Sequence, residues 1–152
     1  MRKTIAAALA LLLGLTACSC LRPLAGGQPF DPKNPKVYVV TSKNDPAHKY
    51  VVVDQEPIYF FRDDGKQIPI RWELQTSGYK FDTANGISSI KTLAGASGQV
   101  HSCKGEQGND RAFICINENS ASGFYKYTIN VIAADKAHEP NPKSADPTVG
   151  ND

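Results

Sequence analysis

Apolar and polar residues alternate along much of the chain between residues 37 and 134. The clearest case is the segment Tyr125 to Val131, in which every second residue is a large apolar one. A period of two places such residues on one face of an extended strand and the intervening polar residues on the other. The segment is therefore predicted to be a half-buried β-strand.

Further strands are indicated by short β-branched and aromatic runs that are bounded by turn-forming residues. Asp63-Asp64-Gly65 separates the runs Pro57–Phe61 and Ile68–Leu74, which together predict a hairpin. In the second run Ile70, Trp72 and Leu74 alternate with polar residues. No segment shows a comparable helical period. The pattern of about eight strands with turn signals between them predicts an all-β domain built as an antiparallel β-sandwich.

Two segments of this pattern loosely resemble strands of immunoglobulin-like and cupredoxin-like sandwiches, among which small bacterial envelope proteins are the most similar. They are Ile70-Arg71-Trp72 on a central strand and Tyr-Lys-Tyr-Thr-Ile on the last strand. Antibody-type domains have one cysteine before the tryptophan and one after it. Here Cys103 and Cys115 both follow Trp72. The resemblance therefore implies only the architecture.

Cys103 and Cys115 lie on two neighbouring predicted strands, residues 99–104 and 111–117, joined by a loop rich in turn formers. Adjacent antiparallel strands can bring two cysteines opposite each other, at a spacing that a disulfide closes. We therefore predict a disulfide between Cys103 and Cys115, with Cys20 left unpaired.

The first 17 residues have the composition of a signal peptide. Arg2 and Lys3 are followed by an uncharged apolar stretch from Thr4 to Leu15. At about 12 residues this stretch is too short to cross a bilayer as a permanent helix, and it has the length of a signal-peptide core. We expect an exported protein.

The motif Leu15-Thr16-Ala17-Cys18 resembles the lipobox of bacterial lipoproteins. The resemblance implies that the leader is cut before Cys18, that the Cys18 thiol carries a diacylglycerol, and that the new amino terminus is acylated. Two or more acyl chains anchor a protein stably. In Gram-negative members a serine after the cysteine, as in Ser19, accompanies delivery to the outer membrane. The expected location is therefore the outer membrane, on the side facing the periplasm.

Proline and glycine mark the two flanks of the predicted domain, which extends over residues 37–134. Residues 18–36 contain four prolines and a Gly-Gly pair, and predict a tether. Residues 135–152 contain three prolines among polar residues and predict a disordered tail. Docking of this tail on the domain is the alternative.

The net charge argues against a nucleic-acid partner. Of the 17 basic residues, Arg2 and Lys3 lie in the leader, so 15 remain against 15 acidic residues. No run of lysine or arginine supplies a basic patch. The one membrane contact expected is therefore the lipid at Cys18.

Candidate catalytic and metal-binding residues are few. His101 and Cys103 are two positions apart on one predicted strand, but a blue-copper site also needs a second histidine and usually a methionine. The only methionine is Met1, while His48 and His138 fall in a predicted loop and in the tail. Gly95-Ala96-Ser97-Gly98 is not a nucleophile elbow. We therefore predict no catalytic residue, no metal ligand and no cofactor.

Three functions are compatible with these observations. The favoured one is a non-enzymatic envelope module that binds or helps to assemble another periplasmic component, and it predicts exposed aromatic residues on a sheet edge or an end loop. Candidates are Tyr59-Phe60-Phe61, Tyr125 and Tyr127, although core packing is the default for such residues. The alternative is an inhibitor of an exogenous hydrolase, acting through a protruding loop at Glu118–Gly123. An enzyme or metal carrier would require a pocket that gathers distant histidines and carboxylates.

Overall fold

The alternating residues form β-strands, as the computed structural model shows for residues 30–152. Eleven strands lie in this part of the chain, at β1 Lys36–Ser42, β2 Asp45–Val53, β3 Ile58–Phe60, β4 Ile68–Leu74, β5 Tyr79–Phe81, β6 Ile87–Gly95, β7 Val100–Glu106, β8 Asn109–Asn117, β9 Gly123–Ile129, β10 Val131–Ala133 and β11 Thr148–Asn151. Two short 3-10 turns complete the secondary structure, at Arg62–Asp64 and Lys136–His138. The predicted signal peptide, Cys18 and most of the predicted tether lie outside the described residues.

The strands are arranged in three sheets, which give a β-sandwich-like domain. Five strands pair in the order β2-β1-β4-β8-β7, four in the order β3-β11-β9-β6, and β10 pairs with β5. The all-β class is thus confirmed. The hairpin predicted for Pro57–Phe61 and Ile68–Leu74 is wrong, because β3 and β4 lie in different sheets. The purely antiparallel arrangement is wrong, because β1 pairs with β4 and β3 pairs with β11 in parallel. Parallel neighbours need a long connection, and other strands lie between the members of each pair along the chain.

The core lies between the five-stranded and the four-stranded sheet. Trp72 on β4 and Tyr127 on β9 are both fully buried, and the Trp72 Nε1–H donates a hydrogen bond of 3.1 Å to the Tyr127 hydroxyl. The hydrogen bond gives the buried indole N–H a partner. The two large side chains therefore pack together and join the two sheets at their centre.

The C-terminal segment packs on the domain, which differs from the disordered tail that the composition favoured and matches its alternative. Val51 N–H donates to the Lys143 carbonyl at 2.9 Å, so the segment first pairs with β2. It then supplies β11, which lies between β3 and β9. Val149 on β11 is fully buried. Ala145 also packs against the core, so a few apolar contacts and the backbone pairing on both sides hold this mostly polar segment.

The last residues of the predicted tether also belong to the domain. The carbonyls of Lys33 and Pro35 accept hydrogen bonds of 2.8 and 3.0 Å from the N–H groups of Arg71 and Glu73. The ordered domain therefore begins before residue 37.

Residues 30–152 contain no helix that is long and apolar enough to span a membrane.

The predicted disulfide is confirmed. Cys103 on β7 is bonded to Cys115 on β8, with the two Cα atoms 4.1 Å apart. Cys115 is fully buried, and Cys103 packs against the edge of the core. The two strands form a hairpin. The bond could be predicted from the sequence because strands that are neighbours in the chain are also neighbours in the sheet here.

Candidate functional site

Three aromatic side chains meet on the outer face of the four-stranded sheet, beside β3. We call Tyr59, Phe61 and Phe124 the ring cluster. The ring centroids of Tyr59 and Phe61 are 5.3 Å apart, and those of Tyr59 and Phe124 are 6.3 Å apart. Phe61 is 60% exposed and Phe124 is 42% exposed. Aromatic rings that stay this accessible are typical of contact surfaces rather than cores.

The strand register explains how the cluster forms. Gly150 on β11 lies directly between Tyr59 on β3 and Phe124 on β9. A Cβ atom at Gly150 would come within 2.6 Å of the Tyr59 ring and 3.0 Å of the Phe124 ring. Glycine is therefore required for the two rings to approach each other across β11.

A cavity of about 500 Å³ adjoins the ring cluster. Its aromatic walls are Phe30, Tyr59 and Phe61, and Phe30 is 72% exposed. Its acidic wall consists of Asp54, Glu56 and Asp64. Among residues 30–152, no basic side chain lines this cavity. We call it the β3 cavity.

The three carboxylates of the β3 cavity are held by hydrogen bonds and not by ion pairs. Asp54 Oδ1 accepts from the Lys36 N–H and Asp64 Oδ2 accepts from the Phe61 N–H, each at 2.8 Å. Desolvation raises the pKa of Glu56, although hydrogen bonds from Thr148 lower it. Within residues 30–152 none of the three forms a salt bridge. Their charge is available to a ligand.

The other aromatic candidates from the sequence are core residues. Phe60, Tyr125 and Tyr127 are all almost completely buried. Successive residues of a strand point to opposite faces, so burial of Phe60 leaves Tyr59 and Phe61 on the outside. Phe124 was not among the sequence candidates. Its position next to Tyr125 on an alternating strand was the signal for it.

His101 lies in a chain of hydrogen bonds on β7. Its Nδ1 is 2.8 Å from Ser102 Oγ, and its Nε2 is 2.7 Å from Glu118 Oε1. A bulge after His101 and a φ of 54° at Ser102 produce this arrangement. The sequence pattern gave no sign of it, because a bulge breaks the alternation of the strand.

Serine, imidazole and carboxylate are the groups of a hydrolase triad, but the presence of the three groups alone does not make a triad, because each group must also be placed to act on a substrate. Catalysis would also need paired N–H groups aimed at an oxyanion and a substrate cavity beside Ser102. The β3 cavity is lined by other elements. What the contact does here is to join β7 to the loop after β8. Cys103 beside it is half of a disulfide and offers no thiolate.

The remaining histidines each have a carboxylate neighbour. His48 Nδ1 lies 2.7 Å from Asp45, and His138 Nδ1 lies 2.7 Å from Asp135. In the described part of the chain, no group of three or more histidine, cysteine or acidic side chains is placed to hold a metal ion.

The loop Glu118–Gly123, the sequence candidate for an inhibitory loop, packs against the domain. Asn119 is 3% exposed, and its Nδ2 donates to the carbonyls of Phe61 and Gly65 at 2.9 Å. Gln99 Oε1 accepts hydrogen bonds from the next two N–H groups of the loop. These hydrogen bonds hold residues 119–121 of the loop to the domain, while Ser120 and Ser122 are exposed. The loop fixes the backbone of Phe61 and so helps to position the ring cluster.

Comparison of the chain with models of known protein families gives no match, and comparison with curated proteins gives none either.

Proposed function

We propose that this protein is a lipid-anchored outer-membrane protein facing the periplasm, and that its non-enzymatic domain binds or helps to assemble another envelope protein through the ring cluster. The observation that supports binding is that the exposed rings of Phe61 and Phe124 both pack against Tyr59 on the edge strand β3. Clustered aromatic residues of this kind supply most of the binding energy in many interfaces. We further propose that the domain is an immunoglobulin-like or cupredoxin-like sandwich.

The position of the cluster relative to the proposed anchor suits such a role. Phe30, at the border of the β3 cavity, follows Cys18 by 12 residues. Twelve residues span at most about 40 Å when fully extended. Phe30, in the wall of the β3 cavity, would therefore lie within about this distance of the membrane surface, where other envelope proteins are within reach.

The anchor is tested by replacing Cys18 with alanine and labelling cells with a fatty-acid analogue. Wild type and the matched control Cys20→Ala are expected to take up the label, while Cys18→Ala is expected to take up none and to leave the membrane fraction. Equal labelling of Cys18→Ala and wild type would show that Cys18 carries no lipid.

The binding surface is tested by placing a photo-crosslinking amino acid at position 61 in the full chain. Val40 serves as the matched control position, because it is 41% exposed on the five-stranded sheet. We expect a discrete crosslinked envelope protein from position 61, lost on Phe124→Ser, and none from position 40. The same products from both positions would contradict a dedicated surface.

A further inference from the structure

One backbone edge beside the ring cluster is available for pairing. Asp152 N–H donates to the Phe60 carbonyl at 3.1 Å, so that carbonyl faces β11. Backbone groups of successive strand residues point to opposite sides, which directs the N–H and C=O of Tyr59 away from β11. Neither group has a hydrogen-bond partner elsewhere in residues 30–152. An unpaired edge of this kind accepts an added strand from a partner.

The β3 cavity lies next to this edge and selects for positive charge. Its acidic wall of Asp54, Glu56 and Asp64 attracts a cation, and the faces of aromatic rings do the same. Arg62 belongs to the neighbouring turn but does not line the cavity. A ligand therefore meets three carboxylates and, among the residues that the structure describes, no basic side chain.

The carboxylates and aromatic rings of the β3 cavity fit an organic cation better than a metal ion. Hard metal ions require several oxygen ligands around one point. Here one oxygen each of Asp54 and Asp64 is already bonded to a backbone N–H, and three of the nine lining residues are aromatic. A guanidinium or ammonium group at the end of an alkyl chain matches both walls, since its stem packs on the rings while its head meets the carboxylates.

We infer that the partner of this protein presents an extended, basic polypeptide segment that pairs with β3 at Tyr59 and inserts an arginine or lysine side chain into the β3 cavity. The inference rests on the proposed function and names the chemical class of the partner. Strand pairing supplies an attachment that is independent of sequence, and the cavity supplies the selection for a basic side chain.

The test uses the full lipidated chain in detergent and a display library of eight-residue peptides with every position randomised. We expect the enriched peptides to carry arginine or lysine alternating with apolar residues. A selected peptide should bind Glu56→Gln at least about fivefold more weakly than wild type. Its binding to wild type should weaken as the salt concentration is raised. Asp63→Asn is the matched control, since Asp63 is an exposed acid of the adjacent turn outside the cavity, and it should bind as wild type does.

N-methylation of the selected peptide tests the pairing itself. Methylation removes a backbone donor without changing any charge, so it should abolish binding at the amide that faces Tyr59 and leave the flanking amides tolerant. Thermal unfolding of Glu56→Gln and Asp63→Asn confirms that both variants are folded.

Several outcomes would overturn the inference. They are enrichment of acidic or uncharged peptides, binding that Glu56→Gln leaves unchanged, tolerance of N-methylation at every amide, and no enrichment over a Phe61→Ser protein. Crosslinking from position 61 in cells is an independent result. If it succeeds while the library fails, only the basic-segment inference is lost. If the library succeeds while crosslinking captures nothing, the proposed function fails and the chemistry of the cavity remains.

Discussion

Arg71 and Glu106 form a two-point ion pair on the outer face of the five-stranded sheet. Arg71 Nε is 3.0 Å from Glu106 Oε1, and an Arg71 terminal nitrogen is 2.8 Å from Oε2. Asn109 Nδ2 donates a further hydrogen bond of 2.8 Å to Oε2. The hydrogen bonds from Arg71, followed by that from Asn109, lower the pKa of Glu106 to about 2 from an ordinary 4.5. Paired geometry of this kind is stronger than a single charge contact.

The Glu106 pair predicts a specific acid sensitivity. Because the pKa is lower in the folded state, the stabilisation is complete above the unfolded pKa of 4.5 and is lost as the pH falls through about 2. Glu106→Gln should therefore flatten the loss of stability over this pH window, measured by denaturant midpoints. Asp110→Asn, at an exposed acid of the same hairpin, should keep the wild-type profile. Identical profiles for wild type and Glu106→Gln would contradict a stabilising role for the pair.

Single residues were predictable where strand alternation alone decides their environment. Trp72 and Tyr127 are buried as the pattern required. Alternation also places Phe60 and Phe61 on opposite faces, but the sequence does not say which of the two is inside. That choice depends on β11, whose pairing with β3 joins residues that are distant in the chain. The hydrogen bonds of His101 depend on a bulge, which has no local sequence signal here.

Strand β11 carries the largest difference between the sequence prediction and the fold. Its only large apolar residue is Val149, and Gly150 weakens any strand propensity. Local composition therefore favours disorder. The strand exists because β3 and β9 offer backbone partners on both sides and the core accepts Val149. These are long-range interactions, which a four-residue segment does not reveal.

The position of Val149 predicts a large cost for a small change. Val149→Ser should destabilise the domain by about 2–4 kcal/mol, since it loses the burial of an apolar side chain and adds a buried hydroxyl. Thr148→Ser, at the half-buried neighbour, should cost far less. Urea unfolding of both variants gives the comparison. A disordered tail would leave the stability of Val149→Ser equal to that of wild type.

The disulfide between β7 and β8 supports a second prediction at the level of elements. Replacing Cys103 and Cys115 together by alanine avoids an unpaired thiol and should lower the free energy of unfolding by about 2–4 kcal/mol. Cys20→Ala is the control and should match wild type. Mass mapping under non-reducing conditions checks the connectivity, and a peptide linking either cysteine to Cys20 would show the assignment to be wrong.

The molecule as a whole is held together where segments pass from one sheet to the other. The C-terminal segment pairs with β2 of the five-stranded sheet at Lys143 and then enters the four-stranded sheet as β11. The hydrogen bond between Trp72 and Tyr127 joins the same two sheets through the core. The all-β class follows from the alternating pattern. The mixed sheet order does not, because it is set by pairings across the whole chain.

This cross-linking predicts that the two sheets unfold together. Fluorescence of Trp72, which lies between the sheets, and far-UV circular dichroism should give coincident transitions in urea. In Val149→Ser the two transitions should shift to lower urea and remain coincident. Separate transitions in wild type would show that the sheets are independent folding units.

The position of β11 also sets an order of events in time. Its neighbours β3 and β9 both precede it in the chain, and Ile58 pairs with a residue roughly 90 positions later. The four-stranded sheet therefore cannot close until almost all of the domain has left the ribosome. Until then β3 has no strand partner, and β9 is paired only with β6, so the four-stranded sheet stays incomplete. For the export that we propose, this delay would leave the four-stranded sheet open while the chain passes through a narrow channel.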